Sequence, residues 1–224
     1  MPLAAAGLPT LRLVLAISLD GRLAPPSGGA AQLGGPGDRR ALEQALTWAD
    51  ACLIGARTLR LHGGTCLIHA PDLLARRRQL GLSPQPAAVV VSRSGDVPAG
   101  LPFWDQPLQR WLLAPSTVTA PPGFDRHLAL GPWREALAHL ARGGLERLVL
   151  LGGAALAGAL LAEDLVDELQ LTLCPLLLGG PAHWLELPAL DHPSHWELLE
   201  GRDLGGGEWL LHYRRRASRP DPGG

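Results

Sequence analysis

The sequence contains no lysine and no asparagine; all twenty of its Lys and Arg positions are arginine. Without lysine there is neither Schiff-base chemistry nor a Walker-A phosphate loop. Richness in Arg, Ala, Gly, Pro and Leu matches a GC-rich genome, which accounts for the missing lysine without functional pressure. Cysteine is scarce too. Cys52, Cys66 and Cys174 are too few and too scattered for a disulfide framework or a zinc site, and Cys52 and Cys174, set in apolar runs, read as buried free thiols of a reducing compartment. Net charge is −1, so electrostatics give no reason to expect nucleic acid or an acidic membrane as partner. No apolar stretch has the roughly 20 residues needed to cross a bilayer, and residues 1–9 lack the basic start of a secretion signal. His183, His192, His195 and His212 show no metal-ligating spacing, and neither do Asp164, Asp167 and Glu168. The expectations are a cytoplasmic chain with no metal, no nucleic acid and no membrane.

What is present is a globular composition: 224 residues, 46% hydrophobic and 18% charged, enough chain to bury a sizeable core. One domain is expected over residues 1–216, with a disordered tail at 217–224. The run at 11–17 (LRLVLAI) has strand length and ends in the turn signal Ser18-Leu19-Asp20-Gly21. A loop over 23–37, rich in Gly, Pro and Ala, precedes a helix that Asp38 caps and that runs to about Trp48. Further strands are expected at 51–54, 87–91, 111–114, 148–151 and 169–174, and helices from Ala56, Pro71, Trp133 and Ala154. Pro132 takes an N1-like position before the third of these, and Arg76-Arg77-Arg78 in the second reads as a solvated face. Segments 196–201 and 208–214 alternate around Gly205-Gly206-Gly207 as a hairpin. Strands alternating with helices argue for a mainly parallel, covered α/β sheet with an antiparallel hairpin at one edge.

The densest signal is the run 151–156 (LGGAAL), where a buried strand turns through Gly152 and Gly153 into a helix that opens with Ala154, Ala155 and Leu156. Small residues let a pyrophosphate approach the unpaired N–H groups of a first helical turn, where the dipole favours negative charge. The run is not the G-x-G-x-x-G fingerprint, and plain packing stays open as the reason for its glycines. Asp20 is the acid nearest the end of the first strand, readable as a proton source or as a turn-forming aspartate before Gly21.

Four segments occur in one order: Ser18-Leu19-Asp20-Gly21-Arg22, Gly55-x-x-Thr58, the Gly152-Gly153 turn, and Leu165-Val166-Asp167-Glu168 followed by Pro175-x-x-x-Gly179. The set resembles the reductase domain of the bacterial riboflavin-pathway deaminase/reductase, the pyrimidine reductase branch of the dihydrofolate-reductase-like fold, across residues 11–214. The H-x-E and P-C-x-x-C signatures of the family's zinc deaminase domain are absent. The resemblance implies a three-layer α/β/α fold with a mainly parallel mixed sheet and an antiparallel C-terminal hairpin. It implies reduction of a small molecule, in the family a 5-amino-6-ribosylaminouracil phosphate, by hydride from NADPH. Ala16 would back the nicotinamide, Thr58 and the neighbouring His62 would meet the cofactor, and the turn from Gly152 through Leu156 would cradle the pyrophosphate. Ser92 and Arg93 would lie at the adenosine phosphate end, with Arg93 either forking onto a 2′-phosphate or standing as an exposed loop arginine. A homodimer through the sheet edge is the implied assembly.

The polar substrate contacts of that family are largely replaced. The aspartate four residues after Thr58 is His62, and the helix arginine that grips the ribose phosphate is Leu46. The loop serine is Ala30, its neighbouring aromatic is Gln32, and the glutamate before the Gly-Gly turn is Leu151. A leucine cannot hold a phosphate dianion. Three readings stand: an NADPH-dependent reductase whose substrate pocket departs from the family's; the uracil phosphate reductase itself, recruiting Arg39, Arg57 or Arg60; or a non-catalytic dinucleotide-binding or interaction protein on the same fold.

Overall fold

The apolar runs of the sequence become strands covered on both faces, which is why they read as nearly continuous rather than alternating. In a computed structural model, which describes residues 7–29, 32–185 and 193–216, β1 (Thr10–Ser18) leads through α1 (Pro36–Trp48) to β2 (Ala51–Gly55). There follow α2 (Ala56–His62), α3 (Pro71–Gln79), β3 (Ala87–Val91), β4 (Arg110–Ala114), β5 (Arg126–Ala129) and α4 (Trp133–Arg142). The chain then returns through β6 (Arg147–Leu150), α5 (Ala154–Ala162) and β7 (Glu168–Cys174) to the hairpin β8 (Trp196–Gly205) and β9 (Glu208–Arg215). Ala30 and the expected tail at 217–224 lie outside the described residues.

These strands form one sheet in the order β5-β4-β3-β2-β6-β1-β7-β9-β8. Neighbours from β5 to β7 are parallel, while β9 is antiparallel to both β7 and β8. One core layer packs α4 and α5 (Ala136, Leu137, Leu140, Ala157, Leu160) on Leu11, Leu13, Leu53 and Leu150. The other packs α1, α2 and α3 (Ala45, Leu46, Leu59, Leu73) on Val14, Cys52, Ile54 and Val149. Each fully buried leucine contributes about 1.5–3 kcal/mol relative to exposure. The result is the expected three-layer α/β/α architecture with its antiparallel C-terminal hairpin.

Several local expectations are corrected. Helix α1 starts at Pro36 with Gly35 as its cap, so Asp38 is the third helical residue and not the cap. Proline's fixed φ suits a first helical position, which moves the start upstream. Pro132, expected just before α4, is its cap. Strand β5 was not foreseen, because RHLA is short, half polar and largely exposed. Arg77 is not solvated: it is 1% exposed and donates to the carbonyls of Leu46, Thr47 and Ala49 at 2.6–3.2 Å and of Ser83 at 2.6 Å. A cation is thereby fixed on the carbonyl end of α1, where the helix dipole favours it.

Glu43 of α1 accepts the N–H groups of His69 and Ala70 at 3.0 and 2.9 Å, fastening the segment that leads into α3. On the same face of the sheet, Glu168 is in cross-strand register with both Arg12 and Arg214 and accepts from them and from His212. Burial pushes its carboxyl up, but His212 and Arg12 outweigh burial and bring it down to about 2.

Candidate functional site

The strand order places a reversal at the carboxyl ends of β2 and β6. These strands are adjacent, yet β2 leads into α2 on one face and β6 leads into α5 on the other. Such a switch point opens a crevice outside the sheet edge, the place where open α/β sheets bind ligands. The two connecting turns touch: Gly55 donates its N–H to the Gly152 carbonyl at 3.2 Å. Gly55 caps α2 and Gly153 caps α5, and in neither case does a side chain bond the first N–H groups. Two helix starts without side-chain caps therefore meet at the switch point, and the first N–H groups of a helix suit an anion.

Both turn glycines are dictated by geometry. Gly152 has φ +86°, and a Cβ there would sit 3.3 Å from Leu15 Cδ2. A Cβ on Gly153 would come within 2.8 Å of the Thr58 hydroxyl, closer than real Cβ atoms approach. The peptide between them is cis. Thr58, expected to meet the cofactor, is thus beside Gly153, at the meeting of α2 and α5. At the head of α5, Ala155 is exposed while Ala154 and Leu156 are half-buried. Ala16, half-buried near the end of β1, lies beside Thr172 of β7.

Asp20 does not behave as a proton source, which corrects that alternative. Its carboxyl accepts the Ser18 hydroxyl at 2.5 Å and the N–H groups of Leu178 and Gly179 at 3.0 and 2.7 Å. Ser18 first, then Leu178, hold it far below the usual carboxylate range despite some desolvation. It has no proton to give near neutral pH and acts as a clamp between the loops after β1 and β7. Leu46 is corrected as well. It is 0% exposed in the core under α1 and cannot touch a substrate, so the family's helix-arginine position points into the core in this chain. Leu151 packs half-buried against the same core, with its N–H on the Leu53 carbonyl at 2.9 Å. Gln32 is exposed, and His62 is exposed at the last residue of α2, away from the α2 start. Ser92 is buried and accepts the Gly95 N–H at 2.9 Å, forming a turn that leaves Arg93 exposed.

Of the arginines considered for a substrate phosphate, Arg39 is engaged by Glu43 and Arg60 by Asp96, whereas Arg57 is exposed at the second residue of α2. Among the described residues no three His, Cys, Asp or Glu side chains are grouped to hold a metal ion, and no helix is long and apolar enough to cross a membrane. Sequence reasoning missed one group at this site: Asp38, Thr172 and Glu208 meet between α1, β7 and β9. The available signal was three polar residues, Glu168, Gln170 and Thr172, at alternate positions of an otherwise apolar strand.

A family profile described as the RibD C-terminal domain matches residues 9–207. The chain belongs to that family. A relative from Archaeoglobus fulgidus, 2,5-diamino-6-ribosylamino-4(3H)-pyrimidinone 5′-phosphate reductase, is 27% identical over 177 residues, covering 74% of this chain and 80% of its own. The structure of Acinetobacter baumannii RibD superposes with a TM-score of 0.78 at 21% identity over 95% of this chain and 59% of the other. This chain thus spans little more than half the length of that bacterial protein. Dihydrofolate reductase from Enterococcus faecalis shares the fold at a TM-score of 0.53 and 14% identity, over 93% of this chain and 97% of the other.

Proposed function

We propose that this chain is an NADPH-dependent reductase of the pyrimidine reductase type, with a substrate pocket that departs from the family's. The observation that carries the reading is the pair of uncapped helix starts, α2 and α5, meeting through Gly55 and Gly152 at the switch point. The residues present fit a dinucleotide: two helix starts without side-chain caps meet there, and a Cβ at Gly153 would collide with the Thr58 hydroxyl beside them. When bound, the cofactor supplies hydride. The chain's own part is to bind and orient: α5 holds the diphosphate, Thr58 fixes the meeting point, and Ala16 leaves room for a ring. Arg93, exposed after β3, is the group for a 2′-phosphate.

The test is an NADPH titration read by energy transfer from the tryptophans. Saturable binding below millimolar concentration is expected; its absence overturns the reading. The substrate is proposed to lack the ribose phosphate, because Leu46 and Leu151 are both packed into the core. Turnover of 5-amino-6-(5-phosphoribosylamino)uracil, followed by NADPH absorbance, would overturn that narrower statement and favour the uracil phosphate reductase reading. We place the protein in the cytoplasm, and as a homodimer joined along β8, an edge strand exposed through nearly all its length with Leu198 and Leu199 uncovered. Light scattering returning a monomer mass would remove the dimer.

A further inference from the structure

A cavity separate from the crevice lies at the β4–β5 edge of the sheet. It measures about 370 Å³, and its lining includes Val97 and Ala99 after β3, Pro122 and Gly123 before β5, Trp104 and Arg110. Arg110 opens β4 and Gly123 comes just before β5, whereas Gly55 and Gly152 follow the far ends of strands that run parallel to these. The walls are fixed. Trp104 stands in the single 3-10 turn Pro102–Asp105, edge to face with Phe103 and Phe124 at 5.1 and 5.2 Å. Its indole N–H is spent on the Pro98 carbonyl at 2.8 Å. Gly123 has φ +97°, and a Cβ there would come 2.9 Å from the Trp104 ring, so only glycine lets the loop close on the indole.

Arg110 supplies the polar group of this cavity. Its Nε donates to the Phe103 carbonyl at 3.3 Å, and Nη2 donates to the carbonyls of Trp104 and Gln106 at 2.6 and 2.5 Å. The guanidinium also lies 5.6 Å from the centre of the Phe103 ring. All these partners are neutral. Asp125 accepts the backbone N–H of Arg110 at 2.7 Å and not its guanidinium. Among the described residues Nη1 has no partner, and it is not sealed from solvent. A tethered cation without a counter-ion therefore borders an apolar cavity.

We propose that this cavity binds a small planar aromatic carboxylate. With the indole N–H already used, Arg110 is the donor left to a ligand, so the occupant carries one acceptor group and is otherwise apolar. An anionic group answers the unbalanced charge through a charge-assisted bond. A flat ring suits the indole and the proline ring that face the cavity. The volume is at the lower end of the roughly 300–1,000 Å³ typical of small-molecule sites, enough for a fused ring system and not for a dinucleotide. The site stands independently of the reductase reading.

The experiment titrates the full chain with naphthoate by calorimetry. In parallel the indole signals of nitrogen-labelled tryptophan are followed by magnetic resonance, with Trp104 assigned from Trp104→Phe. Saturable binding below millimolar concentration is expected, with the Trp104 signal moving most. Naphthamide, of the same shape without the charge, should bind at least about tenfold more weakly, the loss of one charge-assisted bond. Ala99→Phe, at an exposed position on the rim, fills the cavity and should abolish binding while thermal unfolding stays unchanged. Arg110→Gln should weaken naphthoate and not naphthamide; if that variant does not fold, the two probes on the wild-type chain decide the role of the charge. Absence of saturable binding, an unmoved Trp104 signal, equal affinity for acid and amide, or binding retained in Ala99→Phe overturns the proposal. Displacement of naphthoate by NADPH would put the probe in the crevice and overturn it as well.

Discussion

Replacing Gly153 by alanine separates packing from ligand binding at the turn between β6 and α5. The new methyl group would stand 2.8 Å from Thr58 Oγ1, an overlap that either Thr58 or the turn must relieve. Overpacking of this kind costs about 1–3 kcal/mol, and in a domain of this size each kcal/mol lowers Tm by roughly 2–4 °C. Adding Thr58→Ala removes the opposing oxygen, so the double variant should recover about 1 kcal/mol relative to additivity. Cofactor binding should behave differently. The methyl group remains in the cradle, and losing even one charge-assisted bond from a helix start weakens binding by roughly tenfold or more. The assay is a double-mutant cycle read by thermal unfolding and by NADPH titration. Stability is expected to return in the double variant while affinity does not. Recovery of both would show that Gly153 serves packing alone, and would refute the argument from the cradle.

Glu168→Gln should cost about 3 kcal/mol at pH 7, from a carboxyl lowered from 4.5 to about 2. Because the folded value is depressed, that stability is fully present above pH 4.5 and is lost as pH falls towards 2, so urea unfolding at pH 7 and pH 3 should show the difference shrinking. Asp38 has the opposite sign: its folded value is raised above 3.8, so stability is lost as pH rises from there, and Asp38→Asn should raise Tm at pH 7 but not below pH 3.8. Arg77→Leu strands buried carbonyls at the end of α1 and should cost about 3 kcal/mol by denaturant unfolding; a surface-like cost would contradict the cap. Asp20→Asn should lower Tm while leaving the pH dependence of cofactor binding between 6 and 8 unchanged, since Asp20 is ionised throughout that range.

Hydrophobic runs and glycine punctuation were enough to locate β3 at its observed bounds, α4 and α5 at their observed starts, and the other main strands within a residue or four. Those elements are local: a strand buried on both faces is an apolar run, and Gly-Gly stops it. β5 was illegible because its four residues gain their place from pairing with β4, not from any pattern of their own. Arg77 was misread because the carbonyls it caps are about thirty residues away in the chain. The site divides along the same line. The Gly152-Gly153 turn, Thr58 and Ala16 could be named from their segments and order. The commitment of Asp20 to Leu178 and Gly179, the burial of Leu46, and the meeting of Asp38 with Thr172 and Glu208 required the crossovers. The sequence by itself determined a mainly parallel covered sheet with small-residue helix starts. The tertiary structure alone decided which carboxyl is held ionised by donors and which is buried beside another acid, because a side chain's proton affinity is set by neighbours that only folding brings together.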